Sequence, residues 1–136
     1  MKTFIAYRST GEDPVLLEPM LTAVRDGFRS KGIDAYCTFF DEQLFKDKVY
    51  SPRQILEHAF KIVDACDFLF VLQTSDNKSE GMLMEIGYTL AKGIPVIAAV
   101  KDTVKKSLVS EVARVALPWA DIPNLVETIQ NFEFEA

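Results

Sequence analysis

The chain has 136 residues, 49% of them hydrophobic and 26% charged, with a formal net charge of −5. That length and composition suit one globular domain over residues 1–136 with a real core, and they argue against a disordered chain. The acidic balance speaks against a nonspecific nucleic-acid binder, and no apolar run approaches the roughly 20 residues that span a bilayer.

The start, Met1-Lys2-Thr3-Phe4, enters a strand pattern directly, so no signal peptide is expected. Thr3–Tyr7 reads as the first strand. Arg8-Ser9-Thr10-Gly11-Glu12-Asp13-Pro14 follows as a loop rich in breakers. Leu17, Met20, Leu21, Val24 and Phe28 recur at helical spacing. Pro19 is expected in the first turn of that helix, and Gly32 as its left-handed stop. Ile33–Thr38 alternates loosely and reads as a second strand, nearer the sheet edge.

Phe39 to Tyr50 is expected to be a charged loop with aromatic residues. Two readings of it stand: an irregular connection whose aromatics pack on the sheet, or a flap that stacks on a flat ligand. Ser51-Pro52 is a good helix start, and the helix after it buries Ile55, Ala59, Ile62, Val63 and Cys66. Phe68–Leu72 is a buried strand. A polar loop and a helix then lead through Gly93 to a second buried strand, Ile94–Val100. Asp102 to about Val112 reads as a helix, Arg114–Leu117 as a short edge strand stopped by Pro118, and Asp121 as the cap of a last helix. There is no internal repeat.

Alternation of strands and helices implies an α/β fold, a parallel five-stranded sheet with helices on both faces. The flavodoxin-like three-layer order 2-1-3-4-5 fits best. Cys37 and Cys66 lie far apart without metal spacing, and the chain has 1 histidine. Two free thiols in a reducing cytoplasm are therefore expected, with no zinc site and no other cofactor.

The loop after the third strand carries the functional signal. It leaves the carboxyl end of a central strand, the edge where open α/β sheets bind ligands. Ser79 caps the helix that follows, so free amides there favour an anion or a hydroxyl. Gly81 lets a ligand approach the backbone. Glu85, six residues after Ser79, can project toward the same pocket. A carboxylate beside a bound sugar can attack the anomeric carbon while the base leaves. No dinucleotide-binding or P-loop glycine pattern is present.

Ser79, Gly81, Glu85 and Gly87, followed by Ala91-Lys92-Gly93-Ile94-Pro95-Val96, resemble the nucleoside 2-deoxyribosyltransferase family and its relatives, the nucleotide N-glycosidases. The resemblance implies that Glu85 is the nucleophile. It places Ser79 and the Gly81 backbone on sugar hydroxyls or a 5′-phosphate, and it lines the site with Tyr7-Arg8-Ser9. Arg8 suits a phosphate, and Phe39 or Phe40 would lie near the base. A homo-oligomer acting on a nucleoside or nucleotide is implied, with no nucleic-acid or membrane partner.

Two departures stand out. The family usually has an aspartate eight residues before the position of Asp67, and Ala59 stands there. The first-strand loop also lacks the family's glycine-rich form. A second resemblance is to TIR-type domains, through Phe4–Ser9, the helix from Ile55 to Cys66, and the Ser79–Glu85 spacing. It implies either cleavage of NAD or a signalling module without catalysis. The usual Trp-Cys after the serine is absent, since Gly81-Met82 stands there.

Overall fold

The structure, a computed structural model, describes residues 1–135. Five strands form one parallel sheet: β1 (Lys2–Ala6), β2 (Asp34–Tyr36), β3 (Phe68–Gln73), β4 (Val96–Lys101) and β5 (Val115–Trp119). Their spatial order is β2-β1-β3-β4-β5, as the alternation of elements implies. All six residues of β3 are buried, because helices cover both faces of the central strands.

Alternate residues of each strand serve opposite layers. Ile5, Phe68, Phe70, Leu72, Ile97 and Ala99 pack under α1 (Pro14–Arg29) and, near the end of the chain, α6 (Ile122–Asn131). Phe4, Ala6, Leu69, Val71, Val96 and Ala98 face the other layer. That layer holds α3 (Pro52–Asp64), α4 (Glu80–Ala91) and α5 (Leu108–Val112). The change of side falls between β1 and β3, whose carboxyl ends therefore open a crevice.

Several elements differ from the sequence reading. Helix α1 begins at Pro14, capped by the Asp13 carboxylate, which accepts the Val15 N–H at 2.9 Å. Pro19 thus lies in the helix interior. The ring removes a donor to the Val15 carbonyl, but both residues are exposed and water can satisfy that oxygen. Gly32 has φ +74°, as its stop role requires.

Residues 38–50 are not an irregular loop. A 3-10 turn, Thr38–Asp41, leads into α2 (Glu42–Asp47). Six helical residues are too few to show a period, and buried Phe45, stacked on Tyr50 at 5.5 Å, holds them in place. The helix expected from Asp102 shrinks to α5. Asp76 accepts the backbone N–H groups of Lys105 and Lys106 and pins them against the β3–α4 loop, outside any helix. Pro118 lies within β5 instead of ending it, because an edge strand has one side free of partners.

Candidate active site

The cavity at the carboxyl edge of β1 and β3 has a volume of about 710 Å³. Tyr7, Ser9 and Thr10 line it from the β1 loop, and Thr38 from the 3-10 turn. Helix α3 contributes Pro52, Arg53, Ile55 and Leu56 from its first turns. Helix α4 contributes Ser79, Glu80, Gly81, Met82, Met84 and Glu85.

Local sequence explains each wall. The Ser79 hydroxyl accepts the Met82 N–H at 3.2 Å and fixes where α4 begins. The first-turn amides of Glu80 and Gly81 then have no partner within the helix. At Gly81 an added Cβ would meet nothing within 4 Å, so the backbone there is open to a ligand. Helix α3 starts with a full capping box: Ser51 accepts the Gln54 N–H, and Gln54 accepts the Ser51 N–H at 2.8 Å.

Glu85 is half-buried on the second turn of α4. Burial alone pushes its carboxyl up to about 8, and no cation draws it back. Tyr7 is buried nearby. Burial first, then the neighbouring acidic groups Cys37, Glu42 and Glu85, hold its phenol well above the ordinary range, against a hydrogen bond with Thr38. Phe39 packs edge-on behind Tyr7, with ring centroids 6.2 Å apart.

Of the residues expected at the site, Tyr7, Ser9, Ser79, Gly81 and Glu85 line the cavity together. Arg8, Phe39 and Phe40 are not among its lining residues. Arg8 forms an ion pair with Glu12 and donates from Nε to the Lys78 carbonyl at 3.2 Å. It straps the β1 loop to the β3–α4 loop, and its charge is already matched. Phe40 lies under the Arg25 guanidinium, 4.1 Å from it. The 38–50 aromatics support the wall and do not form a flap over it.

Ala59 is 1% exposed and packs among Phe4, Ala6, Val63 and Leu69 in the core. One turn earlier, Ile55 and Leu56 face the cavity, so α3 offers it no acid. His58 turns away from it. Tyr36 donates to Asp41 at 2.6 Å, so His58 Nε2, 3.0 Å from the same phenol oxygen, is its donor. That network ties α3 to the 3-10 turn.

Sequence reasoning missed Thr38, Ile55, Leu56 and Met84. A signal existed for α3: a crossover helix that precedes a parallel strand must begin at the carboxyl edge of the sheet. Ser51-Pro52 already marked that beginning.

The nucleoside 2-deoxyribosyltransferase family model matches residues 18–117, a span that holds Ser79, Gly81 and Glu85. The chain belongs to that family, and with it to the enzymes that cleave or transfer at the N-glycosidic bond of nucleosides and nucleotides. No curated protein sequence matches it.

Solved structures share its fold. A Clostridium botulinum CMP N-glycosidase, BcmB, is 14% identical with a TM-score of 0.70, over 95% of this chain and 97% of that one. The 2-deoxyribosyltransferase of Bacillus psychrosaccharolyticus is 16% identical with a TM-score of 0.71, over 98% and 93%. A conserved protein from Enterococcus faecalis V583 is 20% identical with a TM-score of 0.64, over 96% and 98%. At these identities the likeness is one of fold.

Proposed function

We propose that the chain breaks the N-glycosidic bond of a nucleoside with Glu85 as the nucleophile. The observation that carries this reading is a half-buried carboxylate beside Tyr7 in a cavity of nucleoside size. Glu85 attacks the anomeric carbon from one side of the sugar while the base departs from the other. The Ser79 region and the open backbone at Gly81 receive sugar hydroxyls. Tyr7 keeps its proton and donates a hydrogen bond to Glu85 or to the sugar. Ser9 and Thr38 complete the polar side, and Ile55, Leu56 and Met84 give the base an apolar surface.

Arg8 acts from outside the cavity by holding the two loops together. Phe39 acts by backing Tyr7. Hydrolysis and transfer differ only in whether water or a second base resolves the glycosyl ester. The TIR-like alternative would share the carboxylate but draws no support from the family match.

The test is chromatography of free base after incubation with nucleosides, nucleotides and NAD. The native chain should release base and Glu85→Gln should release none while keeping its fold. Base release by the variant at the native rate would remove Glu85 from the mechanism. Adding a second free base and looking for the exchanged nucleoside separates transfer from hydrolysis.

A further inference from the structure

A neutral base leaves its sugar as an anion unless an acid protonates it. The cavity holds no group well placed to do so. The α3 wall is Ile55 and Leu56, and Ala59 beyond it is sealed in the core. Asp41 and His58 are engaged with Tyr36 and are not part of the lining. Tyr7 is a reluctant donor, since its burial favours the protonated phenol. Glu80, the one other carboxylate among the described lining residues, is exposed on the first turn of the same helix as Glu85.

The charge of the cavity points the same way. Its charged lining residues are Arg53, Glu80 and Glu85. Arg53 is already paired with Glu57 at 2.8 Å, and the Arg8 charge is spent on Glu12. The two lining residues left over are both carboxylic acids, Glu80 and Glu85. A buried carboxylate without a partner is stabilised in its ionised, nucleophilic form when a cation comes to lie beside it. A cationic substrate would therefore activate Glu85 by binding, which a neutral one could not do.

We propose, on the reading of Glu85 as nucleophile, that the cavity takes a cationic N-glycoside, a nucleoside whose base carries a fixed positive charge in the ring that leaves. N7-alkylated purine nucleosides and pyridinium nucleosides share that chemistry. A Glu85 oxygen forms a bond to C1′ as the C1′–N bond breaks. The bonding pair passes into the ring and cancels its charge, so the base departs neutral and needs no proton. Water then attacks C1′, the ester bond to Glu85 breaks, the carboxylate is restored, and the proton of the water goes to solvent.

The experiment uses two matched pairs, each in ribosyl and 2-deoxyribosyl form. One is 7-methylguanosine beside guanosine, and the other is nicotinamide riboside beside its neutral reduced form. Release of base by the full chain is divided by the spontaneous rate for each compound, with Glu85→Gln run alongside. The cationic member should show the larger normalised kcat/KM, by about 100-fold or more, because solvent can protonate the departing neutral base in the spontaneous reaction and the cavity wall cannot. The pair that responds identifies the ring. Leu56→Glu, which returns an acid to the α3 wall, should narrow the gap about tenfold by raising the neutral substrate, with a melting curve to confirm folding. Equal normalised rates within each pair overturn the proposal and leave the glycosidic reading standing. No release from any of the compounds overturns both.

Discussion

At Glu85, the proposed nucleophile, burial bears on reactivity and on stability alike. Burial raises its carboxyl from 4.5 to about 8, so near neutrality the free site is largely protonated. A nucleophile must be ionised. The kcat/KM for a neutral nucleoside should therefore rise as pH passes through about 8, and a fall over that range would make Glu85 a proton donor instead. Folding is linked to the same proton. The folded state holds it more tightly than the unfolded chain, so the stabilisation is complete below about 4.5 and is lost as pH rises through about 8. Glu85→Gln should melt a few degrees higher than the native chain at pH 9 and close to it at pH 4.5. Differential scanning calorimetry reads both values. The penalty at this half-buried place is on the order of 1–3 kcal/mol, reduced by solvent screening.

Among the elements, the two loops at the carboxyl edge depend on one side chain. Arg8 joins them through Glu12 and the Lys78 carbonyl, and Gly11, at φ +79°, bends the β1 loop back onto the guanidinium. An added Cβ at Gly11 would sit 3.2 Å from that group. Arg8→Ala should lower stability by about 1–2 kcal/mol, as for a hydrogen bond to a charged group. It should also slow nucleosides and nucleotides by the same factor, because the strap positions both loops. A loss confined to nucleotides, seen in a comparison of kcat/KM for the two, would return Arg8 to the role of phosphate ligand. Helix α3 shows how one substitution changes a wall without changing the fold. Its cap and its apolar stripe are intact, but at Ala59 a methyl group packs against the sheet.

Across the whole molecule, the segment after α6 closes the α1-side core. Phe134 is 8% exposed and stacks on Phe68 with ring centroids 5.0 Å apart and planes within 11°. It also meets Phe28 edge-on at 5.2 Å. Truncating a buried aromatic removes its transfer free energy and leaves a cavity. Phe134→Ala should cost about 3 kcal/mol in urea unfolding, with base release unchanged below the transition, since the site lies on the opposite edge from this cluster. Strand ends explain that separation. Phe68 opens β3, whereas the cavity gathers where β1 and β3 finish.

The residues themselves determined the layer order, the strand sequence and the sheet edge at which the cavity opens. Buried runs at Thr3–Tyr7, Phe68–Leu72 and Ile94–Val100 can be satisfied only as central parallel strands, and right-handed crossovers then leave few orders open. Ser79, Gly81 and Glu85 were legible because a cap and its helix turn are set by neighbours in sequence. The tertiary structure alone decided which side chains share the cavity. Arg8 looked free until Glu12 and Lys78 engaged it, and Phe39 looked like a base platform until it lay behind Tyr7. Ile55 and Leu56 became part of the site only through the docking of α3. Contacts of that kind join residues tens of positions apart, and no local periodicity encodes which of them will meet.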